Sequence, residues 1–543
     1  MAPQNIEILE LDAVIVGAGF SGIYVLHRLR DELHLNVKIL EAGPPGAIGG
    51  VWYCNNYPGA RVDMKSPYYS FGIDEVWKTW NWTELYASQK DMKAYFQHVD
   101  KVLSVSKDCI FNARVKAAEF DTEKARWSLQ TEAGQTVVAK YFIPAIGGAT
   151  KPYTPQWKGV DSFQGPMYHS SSWPSEGIDV RGKRAAVIGT GATGVQIIQE
   201  WGKEAGELFV FQRTPNISLP MRQEIYDSVN QEQVKNDTPI VYANYREKSV
   251  EHQCPRPTKK FIDQTVEEWD KALSDLYDEG GYTLWASTMT DLYTNLEGNR
   301  FVYDFWAKKT RERIHDPVKR DLLAPLEPPH PFAAKRPSME RGYFEQFNKP
   351  NIHVIDMNED PIVEITPHAI VSKSGKFYEV DAVALATGYD VMTGALIDLG
   401  IRDTDGIDLG ERWKNGVSCF LGFMVPKFPN LFVCFGPQTP ITITNSPMLI
   451  EWQADCIRDL IQRMEGSDYK CMEPRPEAAQ AWREETLAVA GVTIIAGTKS
   501  YYTGANIPGK PNEALFYLAG TGPYKEKCVD SLGVNFEKSF ILY

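Results

Sequence analysis

The stretch DAVIVGAGFSG, residues 12–22, decides the fold of this 543-residue chain. Its apolar run Ala13–Val16 predicts a strand, and apolar residues at helical spacing after the stretch predict a helix. Between them stand three glycines in the GxGxxG pattern, which permits a tight turn, close approach of a pyrophosphate to the backbone and helix–strand packing: Gly17, Gly19 and Gly22. Strand, glycine turn and helix in this order predict a dinucleotide-binding βαβ unit.

The second strand of this unit, at residues 37–40, ends at an acidic residue, Glu41. A carboxylate at this position accepts a hydrogen bond from a ribose 2′-hydroxyl and repels a 2′-phosphate. The first site is therefore predicted to bind an adenine dinucleotide with a free 2′-hydroxyl. The alternative is a glycine-rich turn that binds no ligand.

A second glycine turn lies in RAAVIGTGATG, residues 184–194, where Gly189, Gly191 and Gly194 occupy the same three positions. After the next helix and strand patterns, the ribose position holds Arg213 instead of an acid. A guanidinium binds a 2′-phosphate through paired, charge-assisted hydrogen bonds, so this site is predicted to bind NADP(H). The alternative for Arg213 is a solvated side chain at a strand end. Two such sites in one chain are typical of a flavoprotein that NADPH reduces.

Composition argues against several classes of partner. The net charge of −13 disfavours nucleic acid and anionic membranes, which require clustered basic residues. No window approaches the roughly 18 apolar residues that a spanning helix needs. The eight cysteines include no CxxC pair, as expected for a reduced compartment rather than for a zinc or dithiol site. We therefore expect a cytoplasmic protein with small-molecule ligands and no metal, and no protein partner is evident from the sequence.

The stretch FQGPMYHSSSWP, residues 163–174, places His169 beside three serines. A serine hydrolase would need a GxSxG elbow and an acid for the histidine, and neither stands nearby. A metal site would need further His, Cys or carboxylate ligands at regular spacing, and the nine histidines are scattered. The residues alone favour a structural histidine in a connecting segment over a catalytic base or a metal ligand.

The same stretch fits the pattern FxGxxxHxxxWP, whose fixed positions are Phe163, Gly165, His169, Trp173 and Pro174. With a glycine turn on either side, it resembles the fingerprint of the type I Baeyer–Villiger monooxygenases. In that family the histidine is thought to couple the motion of two domains, and the resemblance implies the same role for His169. The resemblance runs nearly end to end, and further matching segments are GGVWYCNNYPGARVD at 49–63, FQRTP at 211–215 and KRP at 335–337.

The resemblance implies an α/β fold with two Rossmann-like dinucleotide-binding domains, one for FAD and one for NADP, and a helical insertion. The FAD domain is expected at residues 1–150 and 386–543, and the NADP domain at 151–220 and 331–385. The insertion, rich in charged and aromatic residues, is expected at 221–330. The three parts together account for the length of the chain.

The activity implied is that of an FAD-dependent Baeyer–Villiger monooxygenase, which consumes NADPH and O2 and converts ketones to esters or lactones through a C4a-peroxyflavin. Sulfoxidation is an implied side reaction. One alternative is a flavin monooxygenase that oxidises sulfur or nitrogen, but related motifs in that class lack the Trp-Pro ending. The other is a flavoprotein that oxidises NADPH without transferring oxygen, and the presence of Asp63 and Arg336 argues against it.

By the same resemblance, Arg336 is the catalytic cation and Asp63 holds it in an ion pair. The alternative is a basic surface pair with Lys335. Tyr501 stands where many members have a tryptophan that donates to the nicotinamide ribose. Contacts with FAD are expected from Gly17, Gly19, Phe20, Ser21, Gly22, Glu41, Val51, Trp52, Arg61, Asp63, Tyr69 and Val115. Contacts with NADP are expected from Gly189, Thr190, Gly191, Ala192, Thr193, Gly194, Arg213, Thr214, Lys335, Arg336 and Tyr501.

Overall fold

The computed structural model describes residues 8–248, 254–441 and 444–543. Its largest sheet is built on the first glycine turn. The strand before the turn, Ile8–Val16, is buried at its carboxyl end, and the helix after it is Phe20–Leu26, which continues as the π-helical segment His27–Glu32. The seven strands lie in the order Ile401–Arg402, Val115–Asp121, Arg126–Thr131, Thr136–Pro144, Ile8–Val16, Val37–Leu40 and Cys109–Ile110.

Three of the seven strands form an antiparallel meander that the sequence patterns did not reveal. The strands Val115–Asp121, Arg126–Thr131 and Thr136–Pro144 pair antiparallel in succession. The last of them then runs parallel to Ile8–Val16 along its whole length. The residue after it, Ala145, therefore lies beside the first glycine turn, where its carbonyl oxygen leaves no room for a side chain at Gly17.

The second sheet is entirely parallel and is built on the second glycine turn. The strand Arg184–Ile188 enters the turn and the helix Ala192–Glu204 leaves it. The five strands lie in the order Ile352–Asp356, Glu207–Gln212, Arg184–Ile188, Ala382–Leu385 and Met167–His169. The predicted α/β class with two Rossmann-like domains is confirmed. His169, expected in a connecting segment, ends an edge strand of this sheet.

The regular elements described between residues 221 and 330 are all helices: Ser228–Lys248, Phe261–Asp263, Val266–Glu279, Thr283–Ala286, Leu296–Arg311 and Pro317–Leu323. Local sequence sets their starts, since Thr265 and Glu268 form a capping box and Asp316 caps a helix that begins with proline. The chain enters and leaves this region through two neighbouring strands, Ser218–Pro220 and Ser338–Glu340, which pair in parallel.

Smaller elements complete the fold. Antiparallel pairing joins Met472–Pro474 to Phe540–Leu542, and joins Ile362–Ile365, Ala369–Ser372 and Phe377–Glu379 into a three-stranded sheet. The other helices are Val51–Cys54, Asp74–Trp77, Gln89–Leu103, Ser106–Asp108, Val160–Ser162, Ser170–Ser172, Tyr343–Gln346, Gly394–Ile397, Leu409–Arg412, Ser446–Glu465, Pro476–Gly491, Tyr501–Thr503, Thr521–Leu532 and Phe536–Ser539. Within the described ranges, no helix is both long and apolar enough to cross a membrane.

The insertion is anchored to the first domain through a buried acid. Its helix Ser228–Lys248 packs on the helix Ser446–Glu465 through an apolar cluster. Beside the cluster, Glu451 accepts a hydrogen bond of 2.6 Å from the Gly72 N–H and lies 3.6 Å from the Arg246 guanidinium. Burial raises the pKa of the Glu451 carboxyl to about 7. The folded protein therefore holds this proton at pH values where an unfolded glutamate has lost it.

This shifted pKa predicts a pH-dependent effect of Glu451→Gln. Between about pH 4.5 and 7 the unfolded chain ionises Glu451 and the folded chain does not, so the stability that this residue contributes falls as pH rises through that window. The glutamine amide cannot ionise, so the free energy of unfolding of the variant should exceed that of the parent by roughly 1–3 kcal/mol between pH 5 and 8, with the larger difference at the higher pH. Denaturant unfolding of both proteins at several pH values measures this, and a difference that stays constant with pH would contradict it.

Candidate functional site

The first glycine turn is packed too tightly for side chains at two of its three glycines. Gly17 has a φ of +104°, and a Cβ there would lie 2.8 Å from the Ala145 carbonyl oxygen. A Cβ at Gly22 would lie 1.9 Å from the Gly17 carbonyl oxygen. At Gly19, by contrast, an added Cβ would meet only the backbone of Gly50, whose Cα would lie 3.6 Å away. The turn thus holds the helix against the strand and leaves bare backbone at Gly19 for a phosphate group.

Glu41 folds back onto this turn. Its carboxylate accepts hydrogen bonds from the Ala18 N–H at 2.9 Å and from the Gly43 N–H at 2.8 Å. Other predicted FAD residues lie nearby: the Phe20 ring packs edge-on against Tyr69 at 5.3 Å, and Tyr69 packs against Trp52 at 5.7 Å. Val51 begins the short helix with Trp52, Ser21 is buried in the first helix and Val115 begins a strand.

Arg61, another predicted cofactor residue, donates hydrogen bonds to other residues of the same chain. Its Nη1 donates to Glu84 Oε2 at 3.1 Å and to the Tyr86 carbonyl oxygen at 2.9 Å. These contacts anchor the segment that carries Asp63 two residues later. The guanidinium of Arg61 therefore supports the site through the backbone of this segment.

The second glycine turn repeats the geometry of the first. Gly189 has a φ of +103°, and a Cβ at Gly194 would lie 2.1 Å from the Gly189 carbonyl oxygen. At Gly191, by contrast, no atom of the described residues lies within 4 Å of the Cβ position. Thr190 donates from its hydroxyl to the Thr214 carbonyl oxygen at 2.8 Å, and Ala192 and Thr193 open the helix. The protein itself gives no steric reason for glycine at 191, which fits an approaching pyrophosphate.

This contrast predicts opposite defects at two glycines of one turn. Gly191 has ordinary backbone angles, φ −69° and ψ −174°, so Gly191→Ala should leave the melting temperature without cofactor unchanged. The added methyl group should block the pyrophosphate and weaken NADP+ binding by about tenfold or more, as titration calorimetry measures. Gly194→Ala should instead destabilise the fold, because its methyl group meets backbone. Unchanged NADP+ affinity in Gly191→Ala would rule out a cofactor role for this turn.

Two cations gather at the end of the strand that follows. Arg213 comes directly after Glu207–Gln212, next to Thr214, and within the described chain no carboxylate forms an ion pair with it. Burial, with the nearby Arg213 cation, lowers the pKa of the Lys335 ammonium. Two neighbouring cations without an acid between them disfavour each other, and an anionic ligand between them relieves this repulsion. The pair suits a ribose 2′-phosphate.

Arg336 and Asp63 form a bidentate ion pair where the two domains meet. Arg336 Nε lies 2.9 Å from Asp63 Oδ2, and Nη2 lies 3.0 Å from Oδ1. Burial opposes the charge of Arg336, but the adjacent Asp63 carboxylate outweighs it and raises the pKa of the guanidinium. The sequence could not fix this distance, because 273 positions separate the two residues. The pair holds the Arg336 guanidinium in a fixed orientation, and this cation is partly open to a ligand, since the Arg336 side chain is 23% exposed.

Aromatic residues that the sequence did not single out surround this pair. Tyr282 donates its hydroxyl proton to Asp63 Oδ2 at 2.6 Å, and the Arg336 guanidinium lies 4.9 Å from the Tyr282 ring and 5.5 Å from the Trp285 ring. Trp285 Nε1 in turn donates to the Tyr293 hydroxyl at 2.5 Å. All three come from the insertion, where no motif marks them.

Tyr501 approaches Arg336 from the carboxyl-terminal part of the chain. Burial raises the pKa of the Tyr501 phenol, against hydrogen bonds from Tyr502 and from the Arg336 backbone N–H. The rings of Tyr501 and Tyr502 pack edge-on at 4.5 Å. The structure thus places Tyr501 beside the predicted catalytic arginine.

His169 joins the fingerprint to the segment that follows the strand Ala382–Leu385 of the second sheet. Its Nδ1 accepts a hydrogen bond from the Ser171 N–H at 3.2 Å, so Nε2 carries the proton and donates to the Gly388 carbonyl oxygen at 3.0 Å. The ring packs edge-on against Tyr389 at 5.1 Å. Burial lowers the pKa of His169, which keeps the imidazole neutral near pH 7. Because the ring is buried and both of its nitrogens are hydrogen-bonded within the protein, neither nitrogen is available to a substrate.

The other fingerprint residues are packing positions. A Cβ at Gly165 would lie 2.4 Å from the Asp381 carbonyl oxygen and 2.9 Å from the Phe163 ring. Trp173 is buried and packs on Trp201 of the helix Ala192–Glu204 at 5.6 Å, and Pro174 accepts a turn hydrogen bond. Within residues that the structure describes, no group of three His, Cys, Asp or Glu side chains is arranged to hold a metal ion.

Comparison with known proteins gives consistent matches. The pyridine nucleotide-disulphide oxidoreductase family matches residues 11–255. FAD-binding monooxygenase acrE of Aspergillus aculeatus is 42% identical over 96% of this chain and 88% of its own length. Cyclopentanone 1,2-monooxygenase of a Comamonas species is 36% identical over 96% and 94%. The closed crystal structure of cyclohexanone monooxygenase superposes with a TM-score of 0.94 at 31% identity, covering 99% of this chain and all of its own.

A further match concerns the ligands. The crystal structure of OTEMO in complex with FAD and NADP superposes with a TM-score of 0.92 at 35% identity, and it covers 98% of this chain and 99% of its own. Its two dinucleotides correspond in number to the two glycine turns of this chain.

Proposed function

Because the chain belongs to the type I Baeyer–Villiger monooxygenases, we propose that it inserts one oxygen atom beside the carbonyl of a small-molecule ketone at the Arg336–Asp63 pair. The enzyme depends on FAD and NADPH and consumes O2. The observation that carries the assignment of the site is the bidentate ion pair between Arg336 and Asp63, at 2.9 and 3.0 Å. It supports a cation of fixed orientation at Arg336, close to the rings of Tyr282 and Trp285.

We assign FAD to the first glycine turn and NADP(H) to the second. The bare backbone at Gly19 and at Gly191 fits a pyrophosphate at each turn, and Glu41 fits a free ribose 2′-hydroxyl. Arg213 and Lys335 fit the 2′-phosphate that distinguishes NADPH. The predicted division into FAD domain, NADP domain and insertion is proposed with these assignments, supported by one sheet on each turn.

FAD held at the first glycine turn would, when reduced by NADPH, activate O2 for transfer to the ketone. The residues of this chain then stabilise the charge that develops. When oxygen adds to a ketone, negative charge grows on the carbonyl oxygen, and a preorganised cation in a partly dry site stabilises that charge without having to reorganise. Arg336 meets this need, because its pKa is raised and its orientation is fixed by Asp63. The aromatic rings around it exclude water from the same space.

His169 is proposed as a link between the domains. It belongs to the second sheet through Met167–His169 and bonds to Gly388, which follows the strand Ala382–Leu385 on the way back to the first domain. We propose that movement of the first domain reaches this hydrogen bond through the chain that continues from Gly388. We also propose a cytoplasmic location, which is supported by eight cysteines that are all free thiols.

Product analysis tests the proposed reaction. The purified protein is incubated with NADPH, air and a panel of cyclic, aryl and long-chain ketones, and mass spectrometry seeks products heavier by one oxygen atom. We expect an ester or a lactone whose formation requires NADPH. Oxidation of NADPH that yields only hydrogen peroxide with every ketone would contradict oxygen transfer and favour the flavoprotein without oxygenase activity.

A further inference from the structure

We infer that Tyr282 is a positioning residue that fixes the orientation of Arg336, by closing a hydrogen-bonded triangle with Arg336 and Asp63. The inference rests on the proposed function of Arg336. Three contacts form the triangle: Arg336 Nε to Asp63 Oδ2 at 2.9 Å, Tyr282 hydroxyl to Asp63 Oδ2 at 2.6 Å, and Arg336 Nε to Tyr282 hydroxyl at 3.2 Å. Each residue thus touches both others.

The direction of each hydrogen bond follows from the chemistry of the groups. Arg336 Nε only donates and a carboxylate only accepts, whereas a phenol does both. Tyr282 has a single proton and two acceptors in reach, Asp63 at 2.6 Å and the Pro337 carbonyl oxygen at 3.1 Å. The charged and closer acceptor takes it. The phenol oxygen is then left to accept from Arg336, so the hydroxyl mediates between cation and anion.

The Tyr282 ring adds a second constraint. It is 3% exposed and lies 4.9 Å from the Arg336 guanidinium, with the Trp285 ring at 5.5 Å. The two rings pack edge-on against each other at 4.8 Å. A carboxylate alone fixes a guanidinium within its plane, and aromatic faces restrict its tilt out of that plane. Ring and hydroxyl together leave Arg336 one orientation.

The backbone at Tyr282 is itself fixed. Gly280 and Gly281 precede it with φ of +79° and +62°, and the short helix Thr283–Ala286 follows it. A Cβ at Gly281 would lie 2.4 Å from the Tyr86 hydroxyl, so this turn presses against the first domain. The insertion thereby contributes directly to the orientation of Arg336.

Tyr282→Phe tests the inference, since it keeps the ring and removes the hydroxyl. We expect the rate of ester formation to fall about tenfold or more, which is the range for losing a hydrogen bond to a charged group. The share of NADPH that yields ester should fall, and hydrogen peroxide should rise. The KM for NADPH and the anaerobic rate of flavin reduction should change by less than about twofold, because the hydroxyl belongs to the Arg336–Asp63 triangle and not to Arg213 and Lys335, the cations assigned to the 2′-phosphate.

Three further measurements separate positioning from general damage. Tyr277→Phe is the matched control, because its hydroxyl belongs to the insertion and contacts Arg313 at 3.4 Å; it should keep the parent coupling of NADPH to ester. In a crystal structure of Tyr282→Phe, Arg336 should occupy more than one orientation. In an Asp63→Asn background, Tyr282→Phe should add little further loss, because both changes disrupt one triangle.

The outcomes distinguish this inference from the proposed function. Full coupling and a single Arg336 orientation in Tyr282→Phe, together with loss of ester in Arg336→Ala, would overturn the role of Tyr282 alone. Ester formation in Arg336→Ala would overturn the proposed function first. A fall in flavin reduction equal to the fall in ester formation in Tyr282→Phe would also overturn the inference, since it would show general damage to the fold.

Discussion

Replacing Arg336 with alanine is expected to lower ester formation by at least about 10²–10³-fold, the range for removing a preorganised group that stabilises an oxyanion. NADPH should still bleach the flavin at close to the parent rate, because the second glycine turn and Arg213 are untouched. Anaerobic stopped-flow absorbance measures the first step, and product analysis under air measures the second. Hydrogen peroxide should account for the NADPH that no longer yields ester.

Arg336→Lys is the informative companion variant. It keeps the charge but loses the planar, two-point contact with Asp63, so we expect most of the defect to remain. The melting temperatures of both variants report whether loss of the partner leaves Asp63 as a destabilising unpaired charge. Ester formation by Arg336→Ala above one-tenth of the parent rate, about 1.4 kcal/mol, would show that another group stabilises the developing charge.

Replacing Arg213 with alanine is expected to raise the KM for NADPH by about 10–100-fold and to leave the KM for NADH nearly unchanged. The reason is that only NADPH carries a 2′-phosphate, and a guanidinium binds it through charge-assisted hydrogen bonds. Steady-state kinetics with both nucleotides give the ratio directly. The maximal rate with saturating NADPH should change little, since Arg213 is assigned to the 2′-phosphate and not to the Arg336–Asp63 pair.

Arg181→Ala provides the control for net charge. Arg181 belongs to the same part of the chain but is exposed and paired with Asp179 at 2.9 Å, so its removal lowers the positive charge without altering the predicted phosphate site. It should leave both KM values near those of the parent. An unchanged NADPH-to-NADH preference in Arg213→Ala would assign the 2′-phosphate to other residues, of which Lys335 is the nearest candidate.

Local sequence predicted what local geometry demands. The two glycine turns follow from sterics within a few residues, since Gly22 and Gly194 have no room for a side chain against Gly17 and Gly189. The structure agrees with the strand, turn and helix order at both places. The contrast between Glu41 and Arg213 could be predicted for the same reason. Each residue ends the second strand of its unit, at a fixed number of positions after the last glycine of the turn.

What the sequence could not reveal depends on chain packing over long distances. Tyr282 has no motif around it, and its role exists only because the insertion folds back onto Asp63, 219 positions away. The antiparallel meander was missed because its strands differ in pattern from the buried parallel strands around the turns. The surroundings of His169 were predicted as a connection, yet Met167–His169 pairs with a strand more than 200 positions later, which no local pattern signals.

The paired strands at the base of the insertion have an evolutionary consequence. Because Ser218–Pro220 and Ser338–Glu340 lie side by side, everything between them could be exchanged as a cassette without breaking either nucleotide-binding sheet. Such an exchange would not be neutral here, since the cassette carries Arg336 itself together with Tyr282 and Trp285, all of which must meet Asp63 of the first domain. A lineage that changed its substrate range by remodelling this cassette would have had to keep the contacts that orient Arg336. Substrate selectivity and turnover would therefore change together.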